Sequence, residues 1–506
     1  MERLNPQLLI EECDIVERHR GDPLAFITEG LGECVGPSWW SWRVVLKAAY
    51  GYPLEDDELA FFREIAERDP PGHRVKELWL LVGRRGGKDS VTSMIAAQAA
   101  CYAADGVTLR PGERAVVACF AVDRDQATIV YGYTKAYFQK IPALQRRVRS
   151  TFEGVLPKPI LIGDDVELRI MTNNPRAPRG RTIALAILDE LAFWRDEESA
   201  TPDIETYNAI EPGTATVPHA MIIGITTVYR RAGLAFEKFE KYFGTEDPNV
   251  LVIRTTSKMM NPLLDQEVID RRMEEDPERA RAEYYSIFRS DILDYINRDI
   301  LRACTAEGRF ELEPSREHRY FAFCDPSGGS IDSMVLAIGH VEERGLIKYG
   351  ILDLLYEARP PFSPKEIVGE ISDILRRYGL REVTGDKYAG LWPTDEFASR
   401  GISYQESELT KNQIYVDFLP KLNTRQVELL DNRRLFTQFA ELERRSVRSG
   451  RETVDHPSTP GSHDDLCNAA AGCLLGAINS ATKRFIVTDE MLQAAREYRP
   501  SYRPAY

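Results

Sequence analysis

The run Gly83-Arg-Arg-Gly-Gly-Lys-Asp-Ser90 brings glycines, a lysine and a hydroxyl together in one short segment. Glycines let backbone N–H groups close on phosphate oxygens, and a lysine adds a mobile positive charge. Leu78-Trp-Leu-Leu-Val82 reads as a buried strand, and Ser90–Ala100 has helical composition. Strand, glycine turn, lysine and helix is the layout of a phosphate-binding loop. The helix N-terminus adds partial positive charge, and Lys88 would reach the β- and γ-phosphates. Two positions depart from the usual spacing. Val82 stands where a glycine is standard, and Asp89 separates Lys88 from the hydroxyl of Ser90. Either Ser90 or Asp89 would then hold Mg²⁺, since a carboxylate beside triphosphate is repulsive without the metal. The plainer reading of the same residues is a glycine-rich turn capping a helix.

Further on, Ile183-Ala-Leu-Ala-Ile-Leu-Asp-Glu190 is an apolar strand ending in two carboxylates. After a phosphate loop, such a pair holds Mg²⁺ through water (Asp189) and polarises an attacking water (Glu190). A strand stopping at two solvated acids is the alternative. Ile222-Ile-Gly-Ile-Thr-Thr-Val228 is a third strand, ending in the hydroxyls of Thr226 and Thr227. In translocating ATPases a strand in this place senses the γ-phosphate, although Thr-Thr alone is only β-propensity. Arg84 and Arg85 lie in the loop, and Arg176, Arg179 and Arg181 precede the Asp-Glu strand. One of them could meet a γ-phosphate, in cis or in trans; Arg176, Arg179 and Arg181 could instead contact DNA, serve a neighbouring subunit or form a solvated turn. Arg43, in an aromatic N-terminal segment, is a candidate for the adenine, against ordinary helical packing.

The second half carries a different set of acids. Tyr320-Phe-Ala-Phe-Cys-Asp325 and Glu382-Val-Thr-Gly-Asp386 are strands ending in aspartates, and Ser462-His-Asp-Asp465 opens a helix. Hard divalent cations take oxygen ligands, and two such ions about 3.5–4 Å apart support in-line phosphodiester hydrolysis. Each acid also has a local explanation, in a turn at Asp325-Pro326 or in the helix dipole at Asp464 and Asp465. Asp465 is the preferred third ligand with Asp464 as its neighbour, and Asp332 is a secondary acid or a turn residue.

These groups need elements to hold them. A chain of 506 residues implies two or three domains. Alternating strands and helices over 76–256 predict a parallel α/β sheet, with strands at Glu77–Val82, Ala115–Phe120, Glu167–Met171, Ile183–Leu188, Ala220–Thr226 and Val250–Arg254. Predicted helices are Ser90–Ala104, Arg124–Lys140 and Leu234–Phe243. Residues 1–75 read as a helical lid region and 257–317 as a charged helical linker subdomain. A second α/β pattern fills 318–480, and 481–506 reads as a flexible tail. The eight cysteines include no C-x-x-C pair and sit mostly in apolar runs, which predicts reduced core thiols rather than disulfides or a zinc site. No apolar run spans a bilayer and the N-terminus lacks a signal-peptide pattern. The net charge of −14 argues against coating nucleic acid by bulk charge, though not against a local basic groove.

Taken in order, these motifs resemble the large terminase subunit of tailed bacteriophages, a DNA-packaging motor. Gly83–Lys88 resembles that family's arginine-containing Walker A, Ile187–Glu190 its Walker B, and Gly224–Thr227 its coupling motif. Asp325, Asp386 and the His463–Asp465 cluster resemble its nuclease acids. The resemblance implies an α/β chain with an N-terminal P-loop (ASCE-type) ATPase domain and a C-terminal ribonuclease-H-like nuclease domain. It implies ATP-driven translocation of double-stranded viral DNA into a procapsid, and cutting of concatemeric DNA by a magnesium- or manganese-dependent endonuclease. The nucleotide would lie on Gly83, Arg84, Arg85, Gly86, Gly87, Lys88, Asp89 and Ser90. Its Mg²⁺ would be held by Ser90 and Asp189, with Glu190 catalytic and Thr226 and Thr227 coupling. Two Mg²⁺ or Mn²⁺ would sit on Asp325, Asp386 and Asp465, with Asp464 beside them. Implied partners are DNA, portal protein, a small terminase subunit and further copies in a ring, commonly five. Action would be in the host cytoplasm, at the portal vertex, with no membrane. The competing readings are a cellular helicase–nuclease of repair or restriction type, and a nucleotide-gated scaffold that no longer hydrolyses ATP.

Overall fold

The computed structural model describes residues 15–121, 124–149, 159–174, 176–194, 202–330, 332–386, 392–446, 452–457 and 462–483. They divide into two compact units, the first ending at Ile292 and the second beginning at Leu293. The expected tail lies outside the described residues from 484 onward. The division falls inside the 257–317 segment. Its helices Gln266–Glu275 and Pro277–Tyr285 belong to the first unit, and the helix Arg298–Cys304 to the second.

The first unit is built on seven strands: β1 (Glu77–Val82), β2 (Ala115–Ala121), β3 (Ile160–Ile162), β4 (Val166–Thr172), β5 (Thr182–Asp189), β6 (Met221–Thr226) and β7 (Val250–Thr255). Their order is β3-β4-β2-β5-β6-β1-β7. All pairings are parallel except that of β3 with β4. A parallel sheet covered on both faces needs strands that are apolar throughout, and β5 is buried along its whole length. In β1, Leu78, Leu80 and Val82 join one core, while Trp79 and Leu81 join the core on the opposite face. The N-terminal helices Trp40–Tyr50 and Asp56–Ala66 pack into the first of these cores. Because β6 lies between β1 and β5, the loop lysine, the Asp-Glu pair and the Thr-Thr pair emerge at the same ends of three neighbouring strands.

The second unit opens with β8 (Ile292–Asp294) and β9 (Thr305–Ala306). Its main sheet adds β10 (Tyr320–Asp325), β11 (Met334–Arg344), β12 (Ile347–Ala358), β13 (Glu382–Gly385), β14 (Ser403–Glu406) and β15 (Val427–Leu430). The order is β14-β13-β10-β11-β12-β15-β9, with β10, β11 and β12 antiparallel and the remaining pairings parallel. The five strands from β14 to β12 have the arrangement expected of a ribonuclease-H-like sheet. β8 joins β16 (Glu443–Ser446) and β17 (Glu452–Asp455) in a smaller sheet. Cys34, Cys101, Cys119, Cys304, Cys324, Cys467 and Cys473 are buried free thiols. No helix among the described residues is long and apolar enough to cross a membrane.

The helix Asp465–Lys483 lies directly on β10 through glycines. A Cβ on Gly472 would stand 2.7 Å from the Phe323 ring, and one on Gly476 would strike Phe321. Helix propensity favours alanine over glycine by about 1 kcal/mol, yet overpacking here costs about 1–3 kcal/mol. Gly472→Ala is therefore expected to lower the stability of the second unit, read by chemical denaturation. Equal or higher stability would show that the ring can move aside.

Candidate functional site

The phosphate-loop candidate begins where β1 ends. Gly83 N donates to Thr255 O at 3.3 Å, Arg84 N to Glu283 O at 2.6 Å, and Gly86 N back to Gly83 O at 3.1 Å. Arg85 (φ 63°) and Gly87 (φ 91°) are left-handed, which reverses the chain into the helix Lys88–Tyr102. This helix starts before the expected Ser90 because Gly87 supplies its cap. Val82 occupies the standard glycine position. Its Cγ1 lies 2.5 Å from where a Cβ on residue 86 would stand, so Gly86 gives the loop its room.

Lys88 is buried and is the centre of the first site. Its Nζ lies 2.7 Å from Glu190 Oε1 and donates to Thr227 Oγ1 at 3.1 Å. Glu190 Oε2 accepts Thr227 N at 3.1 Å and lies 3.3 Å from Thr226 Oγ1. Thr226 Oγ1 also accepts Ala192 N at 3.3 Å. Glu190 itself has φ 48°, a conformation L residues avoid, held by this set of partners. Thus the structure brings Lys88, Glu190, Thr226 and Thr227 together.

Asp189 and Asp89 complete this cluster. Asp189 is 5% exposed, and its buried Oδ1 has no hydrogen-bond partner among the described residues. Burial first, then the charges of Asp89 and Glu190, raise its carboxyl well above the usual range, with Lys88 opposing. Asp89 is also raised, by burial and by Glu190, with Lys88 and Arg85 opposing. An orphaned buried carboxylate oxygen among like charges suits a hard cation such as Mg²⁺. Ser90 is half-buried in the first turn of the same helix. Of the arginines, Arg84 pairs with Glu283 at 3.3 Å, Arg176 and Arg179 are exposed, and Arg181 Nε donates to Ala177 O at 3.2 Å. Arg43 donates to Cys34 O at 2.6 Å and Gly36 O at 2.9 Å, which ties it to backbone rather than to a nucleotide base.

In the second unit Asp325 ends β10, and Asp386 follows β13 directly, its carbonyl accepting Tyr404 Oη at 3.1 Å. Asp325 Oδ2 accepts Asn468 Nδ2 at 2.8 Å. Burial and then Asp465, Asp464 and Asp386 push its carboxyl well above the usual range. Asp465 accepts Ser333 N at 3.1 Å and is pushed up to about 6, by burial and by Asp464, with the Ser333 bond opposing. Acids gathered with their charges opposed fit a divalent cation between them.

The adjacent aspartates have different surroundings. Asp464 is buried against Lys411 Nζ at 2.6 Å and Tyr415 Oη at 2.9 Å. Its charge is already matched, and it stands behind the cluster. Among the described residues, Asp332, His463 and Asp465 place ligand atoms within 4.8 Å of one another, as do Asp455, His456 and Asp464. Asp325 and Asp386 belong to neither group. Lys411 lies 3.5 Å from Asp455 as well as beside Asp464, so an ammonium already faces the second group. Asp332, read as a turn residue or secondary acid, lies 3.5 Å from His463 Nδ1.

Sequence reasoning did not single out Lys411, Tyr415, Ser333 or Asn468. Asn468 had a signal, being three residues from Asp465 on one helix face. Lys411 had none, being 53 positions from its partner.

The sequence matches no known protein-family model and no curated protein. Among solved structures, the chain is similar to the large terminase of bacteriophage HK97. That alignment covers 86% of this chain and 99% of that one, at 15% identity and TM-score 0.37. A mutant ATPase domain of the Thermus phage P74-26 large terminase aligns with 48% of this chain and 98% of its own, at 18% identity and TM-score 0.32. The magnesium-bound large terminase nuclease of thermophilic phage G20c aligns with 35% of this chain and 94% of its own, at 15% identity and TM-score 0.29. The likeness is one of fold, at low identity.

Asp464 and Asp465 predict opposite effects. Asp464→Asn leaves partly buried Lys411 with Asp455 at 3.5 Å in place of its close partner and is expected to cost about 2–3 kcal/mol. Asp465 has a folded pKa of about 6, above an unfolded value of about 3.9. The folded state therefore holds the extra proton, and stability falls as pH rises from about 4 to about 6. Asp465→Asn removes that fall and is expected to stabilise metal-free protein at pH 7 by about 2 kcal/mol. Denaturation of both variants at pH 4 and pH 7 in chelator checks the pair; equal signs at pH 7 would contradict it.

Proposed function

We propose that this chain is a large terminase subunit: an ATPase that translocates double-stranded viral DNA into a procapsid, joined to a metal-dependent endonuclease that cuts concatemeric DNA. The observation that carries the reading is the convergence of Lys88, Glu190, Thr226 and Thr227 at adjacent strand ends, with a separate acid cluster around Asp325 and Asp465 in the same chain. The order of motifs along the sequence supports the same reading.

In the ATPase, the loop Gly83–Gly87 and the first turn of the Lys88 helix bind the phosphates through backbone N–H groups. Lys88 exchanges Glu190 for phosphate oxygens, which frees Glu190 to accept a proton from the attacking water. Asp189, together with Ser90 or Asp89, would hold Mg²⁺, which would supply neutralisation of the nucleotide's phosphate charge. Thr227, bonded to both Lys88 and Glu190, feels that exchange, and Thr226 passes it along β6. Arg84 or Arg85 stands nearest to assist the γ-phosphate. In the nuclease, Asp325, Asp386 and Asp465 would hold Mg²⁺ or Mn²⁺ ions, which supply an activated water and a stabilised leaving oxygen. Asn468 and Ser333 orient Asp325 and Asp465, and Asp464 with Lys411 supports the helix that carries them. DNA would be gripped by its phosphates, so binding is salt-sensitive and largely independent of sequence. Portal protein, a small terminase subunit and a homo-oligomeric ring, commonly of five, are the partners this reading brings with it.

Plasmid cleavage with Mn²⁺, wild type beside Asp386→Ala, tests the nuclease half. Cleavage is expected in the wild type and lost in the variant, while a variant that cuts at the wild-type rate would refute the assignment. Glu190→Ala is expected to lower DNA-stimulated ATP hydrolysis by about 10²–10⁴-fold while ATP binding persists. Hydrolysis at the wild-type rate would remove Glu190 from the chemistry.

A further inference from the structure

The phosphate loop has its shape because its carbonyl oxygens are drawn outward. Trp42 Nε1 donates to Gly86 O at 2.8 Å. Ser257 Oγ donates to Arg84 O at 2.7 Å, and Asn261 Nδ2 to Arg85 O at 2.9 Å. A planar trans peptide carries its C=O and its N–H on opposite sides. Turning the carbonyls of Arg84 and Gly86 outward therefore turns the N–H groups of Arg85 and Gly87 toward the loop interior. The left-handed residues Arg85 and Gly87 give this stretch the alternating backbone of an anion-binding nest. The unpaired N–H groups at the start of the Lys88 helix continue it.

The three donors come from two separate parts of the first unit. Trp42 belongs to the helix Trp40–Tyr50, while Ser257 starts the short helix after β7 and Asn261 ends it. The two helices are tied together, since Ser41 Oγ donates to Met259 O at 2.7 Å. The Trp42 indole lies flush with the loop, 3.0 Å from where a Cβ on Gly87 would stand. A buried tryptophan commonly finds some carbonyl for its N–H. Three side chains meeting three consecutive carbonyls is a different matter, because together they define the orientation of the whole segment.

We propose that Trp42, Ser257 and Asn261 are positioning residues that hold the loop in its phosphate-binding conformation before nucleotide arrives; this rests on the ATPase reading of the loop. The N-terminal helical region then acts from behind the loop, as a support, rather than as a cover over the base. Since these side chains turn the backbone rather than touch the reacting atoms, their loss weakens nucleotide binding more than turnover.

The test uses the full chain, with MgADP affinity measured by calorimetry, ATP turnover, and the melting temperature without nucleotide. Trp42→Phe keeps a ring in the core and removes the donor; Asn261→Ala alters a half-buried side chain and leaves the core intact. Each is expected to raise the MgADP Kd and the ATP KM about 5- to 10-fold, the effect of one hydrogen bond, with kcat within about two-fold. Wild-type affinity in both variants would overturn the clamp and leave the ATPase reading standing. A lowered melting temperature with kcat and KM lost together would also overturn it, in favour of plain structural support. If the wild type binds no MgADP, the ATPase reading falls, and the clamp with it.

Discussion

One ammonium group holds the first unit's chemistry together. Lys88 lies within ion-pair distance of Glu190 and hydrogen-bond distance of Thr227. It is a buried cation among Asp89, Asp189 and Glu190, in a place where burial already penalises negative charge. Only the sheet order makes this possible. With β6 inserted between β1 and β5, the loop lysine, the Asp-Glu pair and the Thr-Thr pair arrive side by side. Had β1 and β5 been neighbours, the threonines would have stood outside this exchange. The same lysine thus faces all three acids and, on the proposed function, is the group that phosphate must win from Glu190.

The second unit handles crowded negative charge by dividing it. Asp464 is matched by Lys411 and Tyr415 in the interior. Among the described residues, Asp325 accepts a bond from Asn468 and Asp465 one from the Ser333 backbone. A single neutral donor orients a carboxylate without cancelling its charge, whereas the Lys411 ammonium matches the charge of Asp464.

Much of this was legible in the residues. The β1 and β5 strands were readable as continuous apolar runs, and the helix Arg124–Lys140 has the bounds its pattern predicts. The meeting of Lys88, Glu190 and Thr227 followed from their order, because parallel strands deliver their C-terminal ends to one edge. β3 and β9 escaped because three and two residues are too few to show a period. The charge alternation in 266–285 marks a solvated face but does not say which core the other face joins. Asp465 was preferred to Asp464 with no partner in view to decide it. Lys411 and Tyr415 on Asp464, against the Ser333 N–H on Asp465, tell them apart. Trp42 was not singled out, since nothing local shows where its N–H points.

The main sheet of the second unit does not stop at β12. β15 lies parallel to it at Gly350 and Ile351, and β9 lies on β15 in turn. A strand as long as β12 with bare N–H and C=O groups would be a template for pairing with another chain. β15 covers part of that row, and β9, two residues long, covers the end of β15 in turn. They therefore guard colloidal behaviour as well as fold: a chain that lost its hold on β9 would be in danger of sticking to its copies before it was in danger of coming apart.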